Sequence, residues 1–349
     1  MKDIVIQNRV IGLSHKPFII AEMSGNHNQS LEKALEIVKE AHKCGADAIK
    51  LQTYTPDTMT INSSGGLFTI TDKDSLWFGR DLYELYKEAY TPWEWHQQIF
   101  DLARELGIII FSTPFDESSV DFLEGLDVPA YKIASFENTD WPLLRKVAKT
   151  KKPVIISLGG ATLSNISESI AVLKENGCVD LILLKCTSTY PASPETTNLK
   201  TIPHLREMFN CQVGLSDHTL GVGVAIASVS FGVTVIEKHF TLDRSEGGVD
   251  SAFSIEPYEL KSLVEESTKV HDAIGTVNYG ILKAERSSLR FKRSIYIVKD
   301  IQEGEELTID NIKIIRPGDG LETKYFETVI GKKTRCSIAK GSPLRWDMI

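Results

Sequence analysis

Two short polar clusters, Gly214-Leu-Ser-Asp-His-Thr219 and Ile236-Glu-Lys-His-Phe-Thr241, each end an apolar stretch and each carry one histidine. If both stretches are neighbouring parallel strands, the imidazoles of His218 and His239 converge on one mouth of the fold. Two neutral imidazoles beside Asp217 and Glu237 would seat a divalent cation. The alternative is two unrelated histidines, one in a turn and one capping a strand. No HxH or HExxH spacing decides between them.

Two lysines raise a second question. In Ala48-Ile-Lys-Leu-Gln52, alternation sends Ala48, Lys50 and Gln52 to one face and Ile49 and Leu51 to the other. A lysine turned into a protein interior needs a partner, because an unpaired ammonium is costly to bury. For Lys50 that partner is either Glu22, as a structural ion pair, or an anionic ligand, and Lys132 poses the same choice. Taken together, amid the hydroxyls of Thr113, Ser135 and Ser157, the pair reads best as a seat for phosphate or carboxylate. Schiff-base chemistry on Lys132 or Lys185 is the other use of such a lysine.

Elements must bring these side chains together. Short β-rich runs alternate with helical patterns, as in parallel βαβ units. Eight strands are expected: Phe18 to Glu22, Ala48 to Gln52, Ile108 to Thr113, Ala130 to Ile133, Val154 to Ser157, Leu181 to Cys186, Val213 to Ser216 and Val233 to His239. The count favours a closed (β/α)8 barrel over an open doubly wound sheet, and no strand is followed by GxGxxG. Successive strand ends are polar: Glu22; Lys50 and Gln52; Ser112 and Thr113; Lys132 and Ser135; Ser157; Lys185, Ser188 and Tyr190; Ser216, Asp217 and His218; Glu237, Lys238 and His239. In such a barrel those ends form the active-site face. Ile4 to Ile6 and Arg9 to Ile11 would form a hairpin plugging the opposite end.

The expected division is a barrel over 1–280, a basic linker over 281–292 and a β-rich module over 293–349, with short strands around Ser294 to Val298, Leu307 to Ile309 and Ile312 to Arg316. The net charge of −8 and the lack of any Lys/Arg-rich run argue against a nucleic-acid surface. The N-terminus has no signal-like pattern and no run is apolar enough to span a bilayer, so a cytoplasmic protein is expected. Five cysteines without CxxC spacing read as reduced thiols. Tyr83, Tyr86, Tyr90, Trp93 and Trp95 read as packing, His27 as part of a helix-start loop, and Gly247-Gly-Val-Asp250 as a loop after the last strand.

The combination of Glu22 with Asn26-His27, Ala48-Ile-Lys-Leu-Gln52, Phe111-Ser-Thr-Pro114, Lys132-Ile-Ala-Ser135, Thr189-Tyr-Pro191 and the two histidine clusters resembles the sialic acid synthase family. The terminal module, with Ile315-Arg-Pro-Gly318, resembles that family's antifreeze-like (SAF) domain. Ala21 to Gln29, Leu82 to His96 and Ser135 to Asp140 are most similar to its pseudaminic acid branch. The resemblance implies a (β/α)8 TIM barrel with a β-clip SAF domain. It also implies condensation of phosphoenolpyruvate with an acylamino sugar aldehyde, for this branch 2,4-diacetamido-2,4,6-trideoxy-altrose, with release of phosphate. Mn²⁺, or else Mg²⁺ or Co²⁺, is the implied cofactor, with His218 and His239 as ligands and Gln52 near the metal's water. Lys50, Thr113, Lys132, Ser135 and Ser157 would hold phosphoenolpyruvate, with Ser188 and Ser216 also substrate-facing. Glu22, Glu137, Tyr190 and Asp217 would line the reacting centre, where Glu22 or Glu237 assists proton transfer. Arg316 would reach the sugar in a partner subunit, which implies a domain-exchanged homodimer. Three departures, Ser157-Leu-Gly-Gly-Ala161, Ser188 where the family's sialic acid synthases tend to have asparagine, and the Leu76 to Tyr90 region, turn the expectation away from the sialic acid precursor.

Overall fold

The computed structural model describes residues 1–349, in two units, Met1–Gly275 and Thr276–Ile349. In the first, β1 (Ile4–Ile6) pairs antiparallel with β2 (Arg9–Ile11), with Ile4 opposite Ile11. Eight parallel strands follow: β3 (Phe18–Glu22), β4 (Ala48–Thr53), β5 (Ile109–Pro114), β6 (Tyr131–Ile133), β7 (Val154–Ser157), β8 (Leu181–Cys186), β9 (Gln212–Asp217) and β10 (Val235–His239). They close in sequence order, β10 pairing with both β9 and β3. All eight expected strands are present, and their limits differ by no more than a residue or two.

Each strand divides its side chains by alternation. Ile19, Ala21, Ile49, Leu51, Ile110, Ile133, Ile156, Leu183, Leu215 and Ile236 face outward and join the helices in the main core. The helix Leu31–Lys43 shows why those helices form where they do. Ser30 caps its start by accepting from the Lys33 amide, and Ala34, Ile37, Val38 and Ala41 make one buried face. Inside the barrel the lower layer is apolar: Phe18, Ile20, Ala48, Ile109, Phe111, Ala130, Ile155, Ile182, Leu184 and Val235, closed from below by Ile4, Ile6 and Ile11 of the hairpin. The upper layer is polar and forms the site.

In the second unit β11 (Ser294–Ile297) pairs antiparallel with β12 (Ile312–Ile315) over a core of Ile295, Ile297, Ile301, Leu307, Ile312, Val329, Ile338 and Leu344. One expectation changes here. Leu307 to Ile309 forms no strand; Leu307 is buried in irregular backbone bonded to Lys332 and Gly331 beside the Glu306–Lys333 bridge, and Ile309 is exposed. The compact units divide after Gly275, and the segment expected as a linker contains an exposed 3₁₀ helix, Lys283–Phe291. No helix in the protein is long and apolar enough to cross a membrane.

Candidate active site

Above the apolar layer, alternation turns Glu22, Lys50, Gln52, Thr113, Lys132, Ser157, Ser216 and Glu237 into one space at the C-terminal ends of the strands. Two lysines organise its floor. Lys50 Nζ lies 2.6 Å from Glu22 Oε2 and donates to Thr113 Oγ1 at 3.0 Å. Lys132 Nζ donates to Ser157 Oγ at 2.8 Å and to the Ile133 carbonyl. Glu237 sits between the lysines, 3.8 Å from Lys50 and 3.5 Å from Lys132, and accepts from Ser216 Oγ at 2.9 Å. The sequence left ion pair and anion seat open for each lysine; the protein alone makes the ion pairs.

These surroundings push the two glutamates in opposite directions. Burial raises Glu22 to about 7, against the opposing pull of Lys50. Burial also opposes the charge of Glu237, but Lys132 and Lys50 together hold its carboxyl below the ordinary range. Lys132 is shifted down by burial, which Glu237 partly offsets. Gln52 ties Glu22 to the rim, donating to Glu22 Oε1 and to Ser24 Oγ, both at 2.9 Å. Ser24 in turn donates to the buried carboxylate of Asp250.

His218 and His239 do converge: their ring centroids are 5.3 Å apart, with Tyr190 4.4 Å from the first and Phe253 4.9 Å from the second. His218 Nδ1 lies 3.0 Å from the Thr187 carbonyl. A carbonyl only accepts, so Nδ1 carries the proton and Nε2 keeps its lone pair. Burial works against a charge on His218, but Cys186, 3.9 Å from Nδ1, together with the Thr187 carbonyl and Glu237 outweighs this and leaves its pKa raised. His239 is held neutral by burial and by the neighbouring cations, and its buried Nδ1 has no hydrogen-bond partner. Two imidazoles with available lone pairs suit a divalent cation, whose binding would displace any proton from His218. No group of three or more histidines, cysteines or carboxylates poised to hold a metal forms in the protein.

Over this floor opens a chamber of about 400 Å³. Its walls are largely apolar, with Met59, Ile70, Leu82, Leu85 and Phe115 among them, and its polar groups include Ser24, Gln52, Ser135, Glu137, Tyr190, His239 and Asp250. Burial lifts Glu137 to about 7, and its Oε2 has no partner. Trp77 roofs the chamber, donating its indole N–H to the Val249 carbonyl at 2.9 Å with its ring 5.7 Å from that of Tyr190. Ser188 and Ser135 crowd around Gly159, where a Cβ would lie 1.9 Å from Ser188 Oγ and 2.7 Å from Ser135 Oγ. Glycine at position 159 leaves those hydroxyls their room.

Two candidate positions, Asp217 and Lys185, turn away from the site. Asp217 does not line the reacting centre: with Ser216 and His218 facing inward, it points to the helix layer and pairs with Lys238 at 2.8 Å. Lys185 alternates outward from Cys186 and bonds the Cys186 carbonyl, which removes it as a Schiff-base candidate. His27 is fully buried, with Gln29 N donating to Nδ1, Thr91 Oγ1 beside Nε2 and Trp95 against the ring. Arg316 follows β12 in the second unit and is exposed. Sequence reading missed Ser24, Asp250, Cys186, Trp77 and Phe253. Only Cys186 carried a usable signal, as the inward-facing residue two positions beyond Leu184. Tyr86, expected only to pack, also lines the chamber, whereas Trp93 stacks on Phe122 as expected.

A TIM barrel with a polar upper face built from lysines, glutamates and two converging histidines, followed by a small β unit, defines a class that comparison with known proteins identifies. Residues 37–279 match the NeuB family and residues 292–349 the SAF domain, and the chain belongs to the NeuB family. It is 46% identical over 330 residues to the pseudaminic acid synthase of Campylobacter jejuni serotype O:2, covering 95% of this chain and 96% of that protein. It is 43% identical to the pseudaminic acid synthase of Helicobacter pylori, covering 95% and 98%. Among solved structures, the N-acetylneuraminic acid synthetase of Leptospira borgpetersenii in complex with citrate matches with a TM-score of 0.73 at 30% identity, covering 82% of this chain and 95% of that one.

Proposed function

We propose that this chain makes pseudaminic acid by condensing phosphoenolpyruvate with the open-chain aldehyde of 2,4-diacetamido-2,4,6-trideoxy-β-L-altrose and water, releasing phosphate. The observation that carries the reading is the stacking of a paired-lysine floor beneath a mostly apolar chamber. The floor suits a small, highly charged anion. The chamber suits a sugar that has lost its 6-hydroxyl and carries two acetamido methyls.

Lys50 and Lys132 hold the phosphate and carboxylate of phosphoenolpyruvate, with Thr113, Ser135, Ser157, Ser188 and Ser216 supplying hydroxyl donors. Because the lysines are fixed before substrate arrives, they stabilise the charge that grows on the phosphate as it leaves. Glu237 is already balanced between them, so it serves charge compensation, and proton movement falls to Glu22 and Glu137. Carbon 3 of phosphoenolpyruvate bonds to the aldehyde carbon, and water adds at carbon 2. The carbon 2 to oxygen bond then breaks, leaving a 2-keto acid and phosphate. Tyr190, between the histidines and the chamber, orients the aldehyde. A divalent cation, Mn²⁺ or else Mg²⁺ or Co²⁺, held by His218 and His239 near Gln52, would supply Lewis-acid polarisation of the aldehyde oxygen.

The same reading makes the working unit a domain-exchanged homodimer, in which Arg316 of the partner subunit reaches the sugar, and places it in the cytoplasm, where phosphoenolpyruvate is available. Phosphoenolpyruvate labelled with ¹⁸O at its bridging oxygen tests the mechanism. The label should leave in phosphate, and its retention in the sugar acid would contradict carbon–oxygen cleavage.

A further inference from the structure

Immediately behind the two histidines lies an ion pair to which the reaction gives no task. Lys238 and Asp217 are directly paired in the register of β10 and β9, each one residue before a histidine, and their side chains are only 1% exposed. Lys238 Nζ donates to Asp217 Oδ2 at 2.8 Å and to the Thr219 carbonyl at 2.6 Å. Asp217 Oδ1 accepts from the Thr219 amide at 3.0 Å and from its hydroxyl at 2.9 Å. The residues on both sides of His218 are thus locked to the residue before His239. His218's own carbonyl accepts from Ala192 N, and that of His239 from Ile255 N.

Stability does not account for this arrangement. Apolar residues of similar size commonly replace a buried ion pair at no loss, and β9 and β10 otherwise present Val213, Leu215 and Ile236 to this layer. What unlike charges add is intolerance of displacement: in a dry layer, sliding one strand against the other separates them steeply. We propose that Asp217, Lys238 and Thr219 are positioning residues that fix the separation of the His218 and His239 imidazoles, and so set the protein's affinity for a divalent cation. This rests on the histidines being the cation's ligands.

The test uses the full chain stripped of metal, with Mn²⁺ as probe in calorimetric titration. In Asp217→Asn/Lys238→Met, a double variant that removes both charges, Mn²⁺ affinity should fall roughly tenfold or more. Binding of phosphoenolpyruvate without metal, whose charges are held by Lys50 of β4 and Lys132 of β6, should stay within about twofold. A folded double variant with wild-type Mn²⁺ affinity overturns the proposal. If that variant does not fold, Thr219→Val, which keeps both charges, carries the test: a severalfold loss supports it and an unchanged affinity overturns it. Wild-type protein that binds no Mn²⁺ would instead overturn the ligand assignment beneath it, a result distinct from a wild type and variant that bind equally.

Discussion

Glu137 places a carboxyl in the chamber without a cation to hold it. Its pKa of about 7 in the folded protein stands above the ordinary 4.5 because burial penalises the charge. The unfolded chain therefore gives up this proton first, and stability attributable to Glu137 falls as the pH rises from about 4.5 to 7. Glu137→Gln removes that loss. It should stabilise the protein by ~2 kcal/mol at pH 8, little at pH 4, and lower turnover, read from melting temperatures and rates at both pH values. His218→Ala or His239→Ala should leave the melting temperature nearly unchanged but lower metal-dependent turnover at least a thousandfold; retention of full activity by either would remove it as a ligand. At this scale alternation was the legible signal, correctly turning Lys50, Gln52, Lys132 and both histidines inward. The same rule, with Ser216 and His218 inward, sends Asp217 outward, and resemblance to a motif obscured it. Ser24 and Asp250 could not be found this way, because loop positions obey no period.

Between residues and the whole, the strands impose demands of their own. Gly214 lies in β9 where an added Cβ would come within 2.3 Å of the Val235 carbonyl and 2.7 Å of a Leu184 methyl. Backbone cannot yield as a side-chain tip can, so Gly214→Ala should destabilise by about 3 kcal/mol and disturb the histidine two turns of the pleat away, seen as a lower melting temperature and weaker Mn²⁺ binding. The plug hairpin makes the opposite prediction. Ile6 is fully buried at the end of the barrel remote from the site, so Ile6→Ala should cost about 3 kcal/mol by denaturant unfolding while leaving both Michaelis constants unchanged. Strand identities and the hairpin were readable because apolar runs and punctuation recur in the barrel. The Leu307 to Ile309 strand was misread because Leu307 enters the core of the small unit from irregular backbone while Ile309 faces solvent. Likewise, the chamber wall from Tyr86 was hidden because its helix buries one face and offers another to substrate.

For the molecule as a whole, length and the eightfold alternation made the barrel legible, and the composition change near residue 280 marked the second unit, but one sequence cannot state how copies assemble. The domain-exchanged reading makes a specific demand: Arg316→Ala should raise the Michaelis constant for the sugar about tenfold or more while that for phosphoenolpyruvate stays close to wild type. Mixing Arg316→Ala with His218→Ala subunits should restore part of the activity, since each would supply what the other lacks; no restoration after subunit exchange would contradict the exchange. The account as a whole stands on the lysine floor and histidine pair working together on two substrates. Its most direct test measures phosphate release and product mass with phosphoenolpyruvate, 2,4-diacetamido-2,4,6-trideoxy-altrose and Mn²⁺, with and without a chelator. Release should require both the sugar and the metal, and should match formation of the nine-carbon 2-keto acid one for one. Full turnover in the chelator, with borohydride trapping pyruvate on Lys132, would contradict it.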